Sequence, residues 1–177
     1  MALPTASRPE SQEICFIPDN DYAGFLVSRT SVSGTSAPGP ILDSAGKKLG
    51  QHQGIMHYTI GQRKGLGIAA AEPLYVTRIE PEKNAVIVGS KEETYTDELV
   101  TADLNWIAIA PPSQPLDVKA RVRYRHQEAE AIVTPINENE FYVKFAAPQM
   151  AVTPGQSVVF YDRETVIGGG IIIRQRR

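Results

Sequence analysis

A single cysteine, Cys15, in 177 residues excludes a disulfide within the chain and any cysteine-rich metal cluster. So few thiols suit a reducing compartment, and a cytoplasmic setting is expected. No segment approaches the roughly 20 consecutive apolar residues of a membrane-spanning helix, and Met1 to Pro9 lacks the basic start and apolar core of a secretory signal. A soluble protein without a membrane partner is therefore expected. A charge excess is missing too. With 18 Lys and Arg against 20 Asp and Glu, the formal net charge is -2, so any affinity for nucleic acid has to come from a local arrangement of cations. What is present is ordinary globular material: 42% hydrophobic and 21% charged residues, enough chain for one domain or two small ones.

Along the chain, Pro4, Pro9 and Pro18 interrupt any regular backbone and mark an irregular leader. Asp19-Asn20-Asp21 ahead of Tyr22, Phe25 and Leu26 predicts a short helix, followed by a linker-like run from Ser31 to Pro40. Six glycines between Gly46 and Gly67, set among His, Gln, Arg and Lys, predict a bending loop region that approaches another molecule closely. Leu74 to Ile79 and Ala85 to Val88, flanking Pro81-Glu82-Lys83-Asn84, predict a β-hairpin. After a charged connector from Lys91 to Glu98 and an apolar segment from Leu104 to Ala110, strands are expected near Val118 to His126, Ala129 to Ile136, Phe141 to Phe145, Ser157 to Tyr161 and Val166 to Ile173. The expected class is mainly β, with a small antiparallel barrel or sandwich at the end.

Four features bear chemistry. Cys15, in Glu13-Ile14-Cys15-Phe16-Ile17, reads either as a nucleophile or sulfur carrier, which would act as the thiolate, or as a buried structural thiol. His52 and His57 lie five positions apart across Gly54 with no third ligand near in sequence, so no metal site is expected. Gly61-Gln62-Arg63-Lys64-Gly65-Leu66-Gly67 lacks the Lys-Ser/Thr ending of a nucleotide loop. Arg63 and Lys64 there read either as contacts to an RNA backbone or as a solvated turn. Finally, strict alternation from Val118 to Arg125 would place Val118, Ala120, Val122 and Tyr124 on one face of a strand. Lys119, Arg121, Arg123 and Arg125 would then form a basic ladder on the other, with Glu128 and Glu130 partly neutralising it across the hairpin.

Ser11 to Phe16, Gly50 to Gly54, Tyr58 to Gly67, Arg123-Tyr124-Arg125, Thr153-Pro154-Gly155-Gln156 and Gly168 to Ile172 together resemble the tRNA-specific 2-thiouridylase family, in the family's order and over nearly the whole chain. The resemblance implies an enzyme that replaces oxygen by sulfur at carbon 2 of the wobble uridine, with ATP and magnesium activating that oxygen and a cysteine persulfide delivering sulfur. Cys15 matches the persulfide-bearing cysteine, charged by a sulfur-donor protein and resolved by a second cysteine in a preceding domain. That adenylating domain is not among these residues. The resemblance therefore implies a remnant of the catalytic domain at 1–20, a central domain at 21–92 and a C-terminal antiparallel β-barrel at 96–174. This piece is expected to bind no cofactor and to be inactive alone.

The implied partner is the tRNA anticodon arm, contacted by Arg123, Tyr124 and Gln156. Arg125, Arg63 and Lys64 join the candidate set on the charge patterns above. Two other readings remain open. One is a stand-alone RNA- or protein-binding module with an inert Cys15. The other is a methyltransferase, which the lack of a glycine-rich strand-to-helix turn disfavours.

Overall fold

The computed structural model describes residues 24–25, 37–124 and 126–176. The leader with Cys15, and Arg125, lie outside them; of the short helix expected from Asp19 to Leu26, Gly24 and Phe25 are described and are helical. Strands dominate, in two sheets, as the mainly β reading anticipates.

The first sheet has the order β2-β1-β4-β3, formed by β1 (Gly39–Asp43), β2 (Lys48–His52), β3 (Tyr75–Glu80) and β4 (Ala85–Gly89). β1 and β4 run parallel and the other pairs antiparallel. The expected β3–β4 hairpin is present, turned by Pro81–Lys83 and by Asn84 at φ 47, a left-handed conformation that asparagine tolerates. Two expectations are corrected here. The linker-like run to Pro40 ends inside β1, and the glycine-rich region contains β2. In the β1–β2 turn, Asp43 Oδ1 accepts from the backbone N–H of Ala45 and Lys47 at 3.0 and 2.8 Å, a local signal too short to read as a hairpin. Ile41, Val76, Val86 and Val88 are the heart of this sheet's core.

The second sheet is a closed antiparallel barrel in the order β10-β5-β8-β7-β6-β9. It comprises β5 (Tyr95–Trp106), β6 (Leu116–Arg121), β7 (Ala129–Pro135), β8 (Phe141–Met150), β9 (Ser157–Asp162) and β10 (Thr165–Arg176). Closure leaves no edge strand exposed for pairing with another chain. Alternate residues fill the interior: Val118 and Ala120, Ala131 and Val133, Phe141, Val143 and Phe145, Val158 and Phe160 are all buried. Trp106 stacks on Phe160 with ring centres 5.8 Å apart and meets Phe141 edge-on at 5.4 Å.

The stretch read as a charged connector is instead a short turn, Glu92–Thr94, and the start of the 12-residue β5. Its charges face outward and are answered across the sheet. Lys144 Nζ on β8 donates to Asp97 Oδ2 at 2.7 Å and Glu98 Oε1 at 2.8 Å. The hydrogen bond from Lys144 holds both carboxyls below their ordinary values of 3.8 and 4.5, and these partners raise Lys144 above its ordinary 10.5. Carboxyls that titrate lower when folded stabilise the fold above their ordinary values, and that contribution disappears as pH falls through the lowered folded values. Lys144→Met should therefore unfold at lower temperature than the wild type at neutral pH, with the gap closing on acidification below 4.5. Thermal melts of both proteins across that range check this; a gap independent of pH would contradict it.

Candidate nucleic-acid interface

The basic ladder breaks where β6 stops, at Arg121. Ala120 pairs with Ala129 across the β6–β7 hairpin, and beyond that pair the chain turns, with His126 N–H donating to Arg123 O at 3.0 Å. The first two of its cations are not free. Lys119 lies 4.0 Å from Glu130, and Arg121 donates to Glu128 at 2.7 Å while its guanidinium sits 5.3 Å from the centre of the Tyr161 ring. Both pairings follow the anticipated neutralisation by Glu128 and Glu130 across the hairpin.

Past the end of the strand the alternation no longer governs direction. Val122 still points inward, whereas Tyr124 turns out and is 85% exposed. An exposed tyrosine offers a ring face for stacking and a hydroxyl for hydrogen bonding. Arg123 is half-buried. Its Nη2 donates to Ile60 O and to Thr153 Oγ1, both at 3.2 Å, and its buried Nε has no partner among the described residues. Burial draws its pKa down, although a guanidinium remains charged. Burial, followed by the charge of Arg123, also lowers the imidazole pKa of His126, which favours the neutral ring beside the guanidinium.

Thr153 opens the Thr153-Pro154-Gly155-Gln156 turn, in which Gln156 N–H donates to Thr153 O at 3.2 Å and Gly155 sits at φ 86. Gln156 Oε1 is buried without a partner among the described residues, an acceptor left unpaired beside this turn. Thr153 thus brings together the segments of Arg123, Tyr124 and Gln156. The residue types of this group were legible in sequence. Their tie to Ile60 was not, because an apolar residue that serves through its carbonyl oxygen carries no compositional mark.

The glycine-rich loop comes to the same place. Gly61 N–H donates to Val76 O at 2.7 Å, and Val76 N–H donates to Gln62 O at 2.9 Å, fixing the loop on β3. Gln62 braces it internally, accepting from Thr59 N–H at 3.0 Å and donating to Lys64 O at 2.9 Å. Arg63 and Lys64 are left exposed on this support. Arg63 borders a wide groove of about 540 Å³ lined by Leu66, Ile68, Ala70 and Pro73 among others, spacious enough for a nucleotide-sized group. No helix follows the loop through residues 68–74, so the strand-loop-helix geometry that cradles nucleotide phosphates is missing there.

The histidines separate rather than converge. His52 is fully buried, with Nδ1 accepting from Gly54 N–H at 3.0 Å and Nε2 donating to Asn84 O at 2.9 Å, whereas His57 is exposed. Those partners assign the Nε2–H tautomer and give His52 a structural duty, locking the end of β2 to the β3–β4 turn. Among the described residues no group of three or more His, Cys, Asp or Glu is placed to hold a metal ion, and no helix is long and apolar enough to cross a membrane.

Two family models match the chain in order: the tRNA methyl transferase PRC-barrel domain over residues 30–90 and the aminomethyltransferase beta-barrel domain over residues 96–172. Among its relatives, the tRNA-specific 2-thiouridylase of Halothermothrix orenii is 52% identical over 166 residues, 94% of this chain and 46% of that protein. That of Acetivibrio thermocellus is 51% identical over 172 residues, 97% of this chain and 47% of the relative. The protein of the same name from Symbiobacterium thermophilum is 52% identical, covering 96% of this chain and 43% of the relative. The chain thus spans about half the length of the curated relatives it matches. With both domain models matched in sequence order and relatives half identical over almost all of its residues, the chain belongs to the tRNA-specific 2-thiouridylase family and corresponds to its C-terminal portion.

Proposed function

We propose that this chain is the tRNA-gripping portion of a cytoplasmic tRNA-uridine 2-sulfurtransferase. Residues 1–20 carry the sulfur-bearing Cys15, 21–92 form a central domain and 96–174 a barrel domain. The anticodon arm lies against Tyr124, Gln156, Arg63 and Lys64, with Arg123 beside them, and Arg125 belongs to the same RNA-binding set. One observation carries this reading: an exposed tyrosine, an unpaired glutamine acceptor and a braced cationic loop, drawn from three distant stretches, meet around Thr153. Stacking, hydrogen bonding and charge are the three means by which unpaired RNA is held.

ATP and magnesium are assigned to the adenylating domain that the family resemblance implies, rather than to these residues. When bound there, the nucleotide supplies activation of the uridine oxygen. This chain's own part is to hold the RNA and to present sulfur at Cys15, received from a donor protein. It follows that the 177-residue chain alone should form no 2-thiouridine from tRNA, ATP, magnesium and a sulfur source, whereas the same chain continued through the adenylating domain should. Nucleoside analysis of the digested tRNA reads the outcome. Turnover by the isolated chain, or wild-type turnover by a Cys15→Ala form of the longer protein, would overturn the assignment.

A further inference from the structure

We infer that Arg123 serves RNA recognition as a positioning residue, tying the loop at Ile60 to the barrel turn at Thr153 so that Arg63, Lys64, Tyr124 and Gln156 form one surface. The inference rests on the function proposed above, but it concerns how two sheets that share no strand are made to act together. The guanidinium of Arg123 is already engaged. Its Nη2 reaches across to Ile60 O in the loop unit while also donating to Thr153 Oγ1 in its own barrel. Thr153 Oγ1 spends its own proton on Ala151 O at 2.9 Å, which leaves its lone pairs for Arg123. An arginine swung outward to a phosphate would leave the carbonyl of Ile60, a buried residue, without this donor.

A second contact marks the same junction. A Cβ placed on Gly61 would fall 2.6 Å from Cβ of the buried Ala151, so the backbone of the loop lies directly on the segment that leads to Thr153. The loop is also stiff enough to transmit the tie. Gln62 and the paired bonds to Val76 make residues 59–64 one braced unit, and Arg63 follows Ile60 by three residues, a reach of at most about 11 Å. On the other side Tyr124 is the residue after Arg123. Holding Ile60 therefore sets where the cations of one sheet stand relative to the aromatic of the other.

Hydrogen exchange and tRNA binding on the full chain test this together. In the absence of RNA, Arg123→Ala should raise amide exchange at Gly61 and Gln62 by roughly tenfold with the barrel core unchanged. Arg123→Lys should do the same, because its ammonium ends about one bond short of Nη2, whereas a plain phosphate contact would tolerate lysine. In tRNA binding, Arg63→Ala should cost several-fold in the wild-type background and little in the Arg123→Ala background, where its cation is no longer held in place. Unchanged exchange in the RNA-free variants, or an equal Arg63→Ala penalty in both backgrounds, would overturn the inference. Raised exchange with no tRNA binding by any form would overturn the proposed function, and the recognition role with it, leaving only an architectural tie.

Discussion

Gly61→Ala should lower the unfolding midpoint of the chain sharply, and Ala151→Gly introduced into the same molecule should restore most of the loss. Two costs coincide at Gly61. Its φ of +86 is a conformation that side chains rarely adopt, and the added Cβ would sit 2.6 Å from Cβ of Ala151, well inside van der Waals contact. Left-handed backbone and overpacking together amount to about 2–5 kcal/mol. Ala151 is itself left-handed, at φ 52, and buried. Glycine there removes the struck methyl and relieves its own backbone, while giving up roughly 0.8 kcal/mol of methyl burial. Ala151→Gly alone is therefore expected to stay close to wild type, and the four-member cycle in denaturant should show strong coupling. Additive losses would mean that the two segments do not touch. The same pair should govern tRNA affinity, since the contact lies beside the Arg123 tie.

The barrel was legible where strands have one wet and one buried face. Val118 and Ala120, Ala131 and Val133, and Phe141 through Phe145 alternate cleanly because each apolar residue meets the interior of a closed sheet. The start of β5 was hidden by Asp97 and Glu98, charges that read as part of a connector until Lys144 on β8 is seen to answer them. β1 and β2 were hidden for another reason: Gly39, Pro40 and Gly50 are poor strand formers, and the pairing of β1 with β2, backed by that of β1 with β4, overrides their local preference. The apolar run through Leu104 to Ala110 is split by the structure, with β5 ending at Trp106 and Ile107 66% exposed.

The site was legible in its residue types and not in its geometry. Alternation carries correctly through Val122 and then fails, because the hairpin to β7 ends the strand and leaves Tyr124 outside. The basic ladder dissolves for the same reason, with its first two members drawn to Glu130 and Glu128. Arg123 finds partners 63 and 30 residues away, separations at which no local pattern survives. The even balance of charge over the whole chain directs attention to small clusters, and the exposed cations of the 61–67 loop are one.

The claim that these residues grip RNA is tested most directly by titrating tRNA binding with salt. Each phosphate neutralised by Arg63 or Lys64 releases counterions, so log affinity should fall with log salt by about 0.7–0.9 per contact. For two contacts this is a loss of roughly sevenfold to twelvefold between 50 and 200 mM salt, more where other cations join. The account predicts such a decline for the wild-type chain and a slope shallower by about 1.4–1.8 for the Arg63→Ala, Lys64→Ala double variant. Affinity indifferent to salt, or a double variant with the wild-type slope, would contradict it.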